Sequence, residues 1–196
     1  MDNYKNNLKL LTENHVYSKD MEHDACGVGV IASTEGKKSR EIVEYGIEAL
    51  KAVWHRGAVD ADGKTGDGAG IHVEIPKDFF IEKIEVTGHD YDNSEICVGM
   101  IFLPRNDYSS QESCKTIVES ELTKNNFSIF GWRQVPVNPK ILGEKAFQTM
   151  PEIIQVLFKS NDPNLIDKNL ERKIYETRKK IENKAFQLSL NNFYIC

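Results

Sequence analysis

The chain has 196 residues, of which 40% are hydrophobic and 28% are charged, and its formal net charge is −5. This is enough for one domain with a sizeable core, in a composition typical of globular proteins. The net negative charge argues against nucleic-acid binding, and the basic run 178–180 lies among glutamates as on a solvated helix face. No apolar run approaches the roughly 20 residues that span a bilayer, and residues 1–20 lack the apolar core of a signal peptide. We therefore expect a cytoplasmic protein that binds neither nucleic acid nor membrane.

The chain has four cysteines, Cys26, Cys97, Cys114 and Cys196, and no two of them form a C-x-x-C pair. We therefore expect no metal site within the chain, because structural zinc and iron–sulfur sites use closely spaced cysteines. In the cytoplasm the thiols should be reduced. Cys97 lies in an apolar run and is expected in the core, whereas Cys114 lies in a predicted helix.

The first predicted elements follow a polar, irregular leader at residues 1–25. Residues 27–32 form a short apolar run with β-branched side chains, which predicts a buried strand. Ser39 is a suitable helix N-cap, and apolar residues recur after it at helical spacing as far as Trp54. We expect a strand and then a helix in this part of the chain.

A loop rich in glycine and aspartate follows at residues 55–70. Residues 71–75 alternate between apolar and polar side chains, which predicts a strand with one solvent-exposed face. Pro76 then opens a short helix through Phe79 and Phe80, because proline suits the first turn of a helix.

Strands and helices alternate in the rest of the chain. Strands are predicted at residues 96–103, 127–137 and 152–158, and helices from Ser109 or Ser110 to about Lys124 and at residues 167–185. Pro136 favours a sheet edge for the second of these strands. Residues 192–196 are aromatic and β-branched and predict the start of another strand. A domain rarely ends there, so we expect a chain truncated inside its domain, with a short terminal edge strand as the alternative.

Cys26 stands between the polar leader and the first predicted strand. A free cysteine has a pKa near ~8.5 and needs a base before it attacks as a thiolate. Its own α-amine, with a pKa near ~7.7–8.0, can serve as that base if the leader is cut between Ala25 and Cys26. The position alone also allows a buried structural cysteine, which is the commonest fate of a single thiol.

The glycine-rich loop matches neither of two ion-binding patterns that it suggests. Residues 63–65 (Gly-Lys-Thr) match the end of a phosphate-binding loop, but the preceding glycine is one residue too far upstream. Asp60 and Asp62 would also repel a phosphate. A calcium loop starting at Asp60 needs glycine at its sixth position and glutamate at its twelfth, where this chain has Thr65 and Ile71.

Arg56 is a candidate clamp for an amino-acid carboxylate, because a guanidinium can bind a carboxylate through two parallel hydrogen bonds. A surface salt bridge is the alternative interpretation of this arginine. His55 is either a hydrogen-bonding partner or a structural residue. Asp67 either takes part in function or stabilises the turn, and the sequence does not decide between these roles.

Together these residues resemble the class II glutamine amidotransferases. The shared elements are Cys26-Gly27 before an apolar segment, then a helix, and then His55-Arg56-Gly57. Residues 24–29 (Asp-Ala-Cys-Gly-Val-Gly) and 65–71 (Thr-Gly-Asp-Gly-Ala-Gly-Ile) are similar, more narrowly, to the opening of glutamate synthase large subunits. The resemblance is strong over residues 22–80 and looser to the end of the chain. It divides the chain into a leader, residues 1–25, and the N-terminal part of an amidotransferase domain, residues 26–196.

The resemblance implies an α+β fold, the αββα sandwich of the N-terminal-nucleophile hydrolases, incomplete at its C-terminal end. It implies that Cys26 attacks the side-chain amide of L-glutamine, forms a thioester and releases ammonia, and that Arg56 holds the α-carboxylate of the substrate. The resemblance further implies that in the full-length protein the ammonia passes to 2-oxoglutarate at a site that uses FMN and an iron–sulfur cluster. Implied partners are the rest of the large subunit and an electron-donating small subunit or ferredoxin.

One family element does not occur in this chain. The oxyanion donors of the family are an Asn-Gly pair downstream of the Phe-Tyr-Ile strand, and the 196 residues contain no Asn-Gly pair. Loss of one oxyanion donor typically lowers the rate about 100–1,000-fold, so we expect this fragment to be inactive by itself. Two further hypotheses remain: a non-catalytic module that binds glutamine, and an amidotransferase of the same class with another ammonia acceptor.

Overall fold

A computed structural model describes Asn6, Lys9 and residues 27–54, 57–190 and 192–196 of the chain. Two compact units are present, Met1–Gly57 and Ala58–Cys196. The chain forms an α+β structure with an antiparallel sheet, which confirms the coarse fold class. No helix in the described residues is long and apolar enough to cross a membrane.

The first unit contains helix α1, Arg40–Ala52. Its N-cap is Ser39, whose hydroxyl accepts a hydrogen bond from the backbone N–H of Ile42 at 3.4 Å, so the predicted helix and its cap are confirmed. The buried strand predicted at residues 27–32 is wrong: the segment is irregular, and Val28 and Val30 are 89% and 86% exposed. A strand needs a hydrogen-bonded neighbour, and no described residue pairs with this segment.

The second unit is built around a four-stranded antiparallel sheet. Its elements are α2 Lys77–Val86, β1 Cys97–Leu103, α3 Tyr108–Lys124, β2 Phe127–Gln134, α4 Glu144–Thr149, β3 Glu152–Ser160, α5 Asp167–Gln187 and β4 Tyr194–Ile195. The strand order is β2-β3-β1-β4, so β2 lies at an edge as predicted. In the register of the central pair, Ile101 of β1 lies opposite Ile154 of β3. Four of the five strands predicted in this unit are confirmed, and so are its three predicted helices.

Helices α3 and α5 cover one face of the sheet. Alternate residues of a strand point to the same face. The face under α3 and α5 carries three buried residues of β1, namely Cys97, Ile101 and Leu103. Ile181 of α5 packs in the same core and is 1% exposed. Cys114 of α3 is also fully buried there, so Cys97 and Cys114 are both core residues.

Helix α2 covers part of the opposite face. Phe80 and Ile84 of the helix pack against Phe130 and Leu157 of the sheet in a second core. The hydroxyl of Thr87, just after the helix, donates a hydrogen bond of 2.9 Å to the carbonyl of Phe130. This contact ties the end of α2 to β2.

The rest of that second face carries apolar side chains that are only partly covered. Met100 and Phe102 of β1 and Ile153 of β3 are half-buried there, and Tyr194 of β4 is 57% exposed. The rings of Phe102 and Tyr194 lie 5.7 Å apart. The described residues therefore leave an apolar area of the sheet open beside α2.

Three details differ from the sequence-based predictions. Residues 71–75 are irregular instead of a strand, and Ile71 and Val73 are 47% and 43% exposed, because no described strand pairs with them. The N-cap of α3 is Asp107 rather than Ser109 or Ser110: its carboxylate accepts from the N–H of Ser110. Helix α4 was not predicted, because six residues show too little periodicity.

Candidate functional site

The predicted nucleophile Cys26 and the predicted clamp Arg56 both lie outside the described residues, and so does His55. Their assignments therefore stay predictions. The structure does describe the glycine-rich segment that begins directly after Arg56, at Gly57. This segment is the part of the candidate site whose geometry can be given.

Residues 58–67 form a closed turn, called here the 58–67 turn. Val59 and Gly66 form an antiparallel bridge. The N–H of Asp60 donates to the carbonyl of Thr65 at 2.7 Å, which closes the turn across its base. At the tip Gly63 has φ 68°, a left-handed conformation that glycine adopts without strain. Local hydrogen bonds therefore hold the main chain of the turn.

The carboxylate of Asp62 fills the centre of this turn. Its oxygens accept hydrogen bonds from the N–H groups of Lys64 at 2.9 Å and Thr65 at 2.7 Å, and from the hydroxyl of Thr65 at 2.6 Å. The hydrogen bonds from Thr65, and then that from Lys64, hold the pKa of Asp62 far below its usual range. These N–H groups point at Asp62, which agrees with rejecting a phosphate-binding loop on sequence grounds.

Asp67 joins the two ends of the 58–67 turn. Its side-chain oxygen Oδ2 accepts a hydrogen bond of 2.8 Å from the N–H of Ala58. The N–H of Asp67 in turn donates to the carbonyl of Ala58 at 3.2 Å. Of the two roles that the sequence left open for Asp67, the geometry supports the stabilisation of the turn.

The turn also contacts the start of helix α4, about 80 residues further along the chain. The ammonium Nζ of Lys145 lies 2.6 Å from Oδ2 of Asp60. Gly143, the N-cap of α4, is buried against the turn at Asp62 and Thr65. This contact could not be predicted from the sequence, because neither segment carries a pattern that points to the other.

The described cysteines differ from an activated nucleophile. Burial raises the pKa of Cys97 to about 12 and that of Cys114 to about 11, so both are protonated thiols at neutral pH. Within the described ranges no group of three or more His, Cys, Asp or Glu side chains could hold a metal ion. These residues do not fit an iron–sulfur cluster.

Comparison with known proteins identifies the family. The family model of the class II glutamine amidotransferases matches residues 26–196. The chain belongs to the class II glutamine amidotransferases. This match covers the whole chain after the predicted leader.

Relatives of this amidotransferase chain are large proteins. It is 50% identical to the glutamate synthase [NADPH] large chain of Azospirillum brasilense, over 98% of this chain and 13% of the relative. It is 37% identical to a ferredoxin-dependent glutamate synthase of Pyropia yezoensis, over 96% of this chain and 12% of the relative. It is 41% identical to ferredoxin-dependent glutamate synthase 1 of Arabidopsis thaliana, over 82% of this chain and 10% of the relative. The chain therefore spans about an eighth or less of these relatives' length.

Proposed function

We propose that this chain is the N-terminal part of the glutaminase domain of a glutamate synthase large subunit, in which L-glutamine is hydrolysed to glutamate and ammonia. The observation that carries the proposal is the 50% identity to a glutamate synthase large chain over 98% of these residues. An amidotransferase with another acceptor is less well supported, because the relatives compared above are glutamate synthases.

In the proposed mechanism Cys26 becomes the first residue after cleavage of residues 1–25. Its α-amine removes the thiol proton, and the thiolate attacks the amide carbon of glutamine. Collapse of the tetrahedral intermediate expels ammonia and leaves a thioester, which water hydrolyses to glutamate. The family match begins at residue 26, which supports this starting point.

Arg56 holds the α-carboxylate of glutamine in this proposal. A guanidinium forms two parallel hydrogen bonds with a carboxylate, so it fixes the orientation of the substrate as well as its charge. Gly57 and the 58–67 turn follow Arg56 directly.

The fold proposed for the complete domain is the αββα sandwich of the N-terminal-nucleophile hydrolases. The half-buried apolar side chains of Met100, Phe102 and Ile153 support it, because they offer a face on which a second sheet can pack. Helices α3 and α5 form the outer layer on the other face of the sheet. The irregular segments 27–32 and 71–75 carry the β-branched residues that further strands require.

The wider reaction is proposed for the rest of the polypeptide. Ammonia from the glutaminase site passes to 2-oxoglutarate, and a second glutamate is formed in the cytoplasm. FMN and an iron–sulfur cluster supply the reducing electrons when bound, from an electron-donating small subunit or from ferredoxin. In this proposal FMN and the cluster bind elsewhere in the full-length protein.

Replacing the nucleophile tests the proposal. In the protein expressed from its complete reading frame, Cys26→Ala should abolish glutamine hydrolysis but leave ammonia-dependent glutamate synthesis, because only the thiol is lost. Glutamate formation is measured from glutamine and from ammonium. The matched control is Cys196→Ala, at an exposed cysteine, which should keep both activities. Glutamine hydrolysis that survives in Cys26→Ala would remove Cys26 from the mechanism.

The alternative is a glutamine-binding module without turnover. The comparisons do not favour it, because the relatives carry the names of enzymes and extend far beyond this chain. Calorimetry with L-glutamine, together with a hydrolysis assay, distinguishes the two functions. Binding without any release of ammonia by the whole protein would favour the module.

A further inference from the structure

The central strand β1 is paired unequally on its two sides. Toward β3 the whole strand is paired, from Cys97 to Leu103. Toward β4 only Ile101 and Phe102 are paired. The described residues therefore contain no strand that pairs with this second side of Cys97–Gly99.

The backbone groups of Val98 point to this unpaired side. The N–H of Met100 donates to the carbonyl of Cys196 at 2.7 Å, and the N–H of Cys196 donates back to the carbonyl of Met100 at 2.9 Å. Alternate residues of an antiparallel strand bond to the same neighbour, so the N–H and the carbonyl of Val98 point the same way as those of Met100. No strand of the described residues lies there to accept or donate these two hydrogen bonds.

A cavity of about 60 Å³ lies between this unpaired side and helix α5. Gly99 and Cys196 line it on the side of the sheet. Ile174 and Arg178, which lie one turn apart on α5, line it on the side of the helix. Helix α5 therefore covers the space beside Gly99, where the described residues place no strand. The cavity and the unpaired side of Cys97–Gly99 are together called here the β1 slot.

One polar atom that lines the β1 slot lacks a hydrogen bond. Nε of Arg178 is buried and has no hydrogen-bond partner among the described residues. It lies 3.2 Å from Oε1 of Glu182, in an ion pair without hydrogen-bond geometry. Because buried N–H groups nearly always have a partner, an acceptor is expected from whatever fills the slot. The carbonyls of a further strand are acceptors of this kind.

We propose that the β1 slot receives the residues that follow Cys196 in the full-length protein, as a continuation of β4 antiparallel to β1. This inference rests on the proposed function, in which the chain is the N-terminal part of a longer polypeptide. The hydrogen bonds between Cys196 and Met100 direct the following residues along β1 into the slot. A strand from a second copy or another protein has to compete with this connected segment, whose effective concentration at the slot is far higher.

The register of the continuation follows from the pairs that already exist. Ile195 lies opposite Ile101. The first residue after Cys196 therefore lies opposite Gly99, and the third lies opposite Cys97. Alternate side chains of a strand share a face, so both of these side chains point to α5, as Ile195 does. The first of them fills the cavity.

A disulfide reads this register directly. The pair at Cys97 is of the non-hydrogen-bonded type, in which the Cα atoms lie about 4.5 Å apart, a distance that a disulfide can bridge. The test uses the protein expressed from its complete reading frame, with Cys196→Ala to remove the neighbouring thiol. A cysteine introduced at the third position after residue 196 should form a disulfide with Cys97 on oxidation with diamide. Mass mapping of the linked peptides detects it.

The matched control is a cysteine at the second position after residue 196. Its side chain points to the opposite face of the sheet, so it should form no disulfide with Cys97. Cys97→Ser in the third-position variant should also abolish the cross-link, which shows that the partner is this thiol and no other.

Hydrogen exchange of the unmodified full-length protein keeps the test decisive if the variants fail to fold. The N–H of Val98 should exchange at least about 100-fold more slowly than an unstructured amide, because it is bonded within the sheet. The N–H of Met100, which is bonded to Cys196, is the internal reference. Mass spectrometry with electron-transfer fragmentation resolves these single amides.

The possible results separate this inference from the proposed function. A Val98 amide that exchanges freely in the folded protein would overturn the continuation, whether or not glutamine is hydrolysed. A protected Val98 with a disulfide from the second position, or from neither, would also overturn it, since another register or another strand then fills the slot. A protein that shows the third-position disulfide and the protection but hydrolyses no glutamine would overturn the glutaminase assignment alone.

Discussion

Charge alone does not explain the proposed use of arginine at position 56. Lysine offers a point charge on a flexible stem, whereas arginine presents two donors in a fixed plane. A substrate carboxylate bound by both donors is fixed in orientation, and the amide at the other end of glutamine is thereby directed to the nucleophile. At the residue scale, then, geometry distinguishes the two cations.

Arg56→Lys should therefore weaken glutamine binding although the charge is kept. We expect the KM for L-glutamine to rise about 10-fold or more, as when one charge-assisted hydrogen bond of about 1.5 kcal/mol or more is lost. Steady-state hydrolysis measures the change, with ammonia-dependent synthesis as the internal control. An unchanged KM would refute the clamp role.

The contact between helices α3 and α5 contains a buried charge. Glu121 of α3 is only 5% exposed, and its carboxylate binds Lys184 of α5 and lies 3.5 Å from Lys124. The hydrogen bond from Lys184 lowers the pKa of Glu121, and the same bond raises the pKa of Lys184. This pair joins the two helices beside the apolar core.

Glu121→Gln should lower the free energy of unfolding by about 1–2 kcal/mol at pH 7, because a charge-assisted hydrogen bond is replaced by a neutral one. The pKa of Glu121 is lowered in the folded state. The carboxylate therefore contributes fully to the free energy of unfolding above the ordinary glutamate pKa of ~4.3, and this contribution is lost as the pH falls below that value. The raised pKa of Lys184 means that the contribution is lost again above pH ~10.4.

Urea denaturation at pH 7 and at pH 3.5 measures this difference between the wild type and Glu121→Gln. The control is Glu112→Gln on the same helix, whose partner Lys115 lies 2.8 Å away in an exposed pair. Glu112→Gln should change the free energy of unfolding by less than about 0.5 kcal/mol. Equal effects of the two substitutions at pH 7 would contradict the role of the buried carboxylate.

For the whole molecule, the mechanism needs a free α-amine at Cys26. The mature protein, isolated from its own source, should therefore begin at Cys26. It should also be far heavier than the 22.3 kDa of these 196 residues, given that its relatives are about eight times longer or more. Intact mass with N-terminal sequencing measures both properties. A 22.3 kDa protein that starts at Met1 would mean that the α-amine is never released.

The sequence by itself determined the elements whose signal is local. Ser39 capped α1 as expected, and the strands β1 and β3 and the helix α5 could be predicted from their apolar spacing. Family membership was also visible in short runs of residues, because chemistry at a site depends on residue types at close spacing. These features need no knowledge of distant parts of the chain.

Only the tertiary structure decided the features that depend on a distant partner. Residues 27–32 and 71–75 have the composition of strands but remain irregular here, because a strand forms only against a neighbour that bonds to its backbone. The seat of the 58–67 turn on Gly143 joins segments about 80 residues apart, and a missing Cβ leaves no pattern in a sequence. Contacts of this kind arise from packing in three dimensions, which spacing along the chain does not encode.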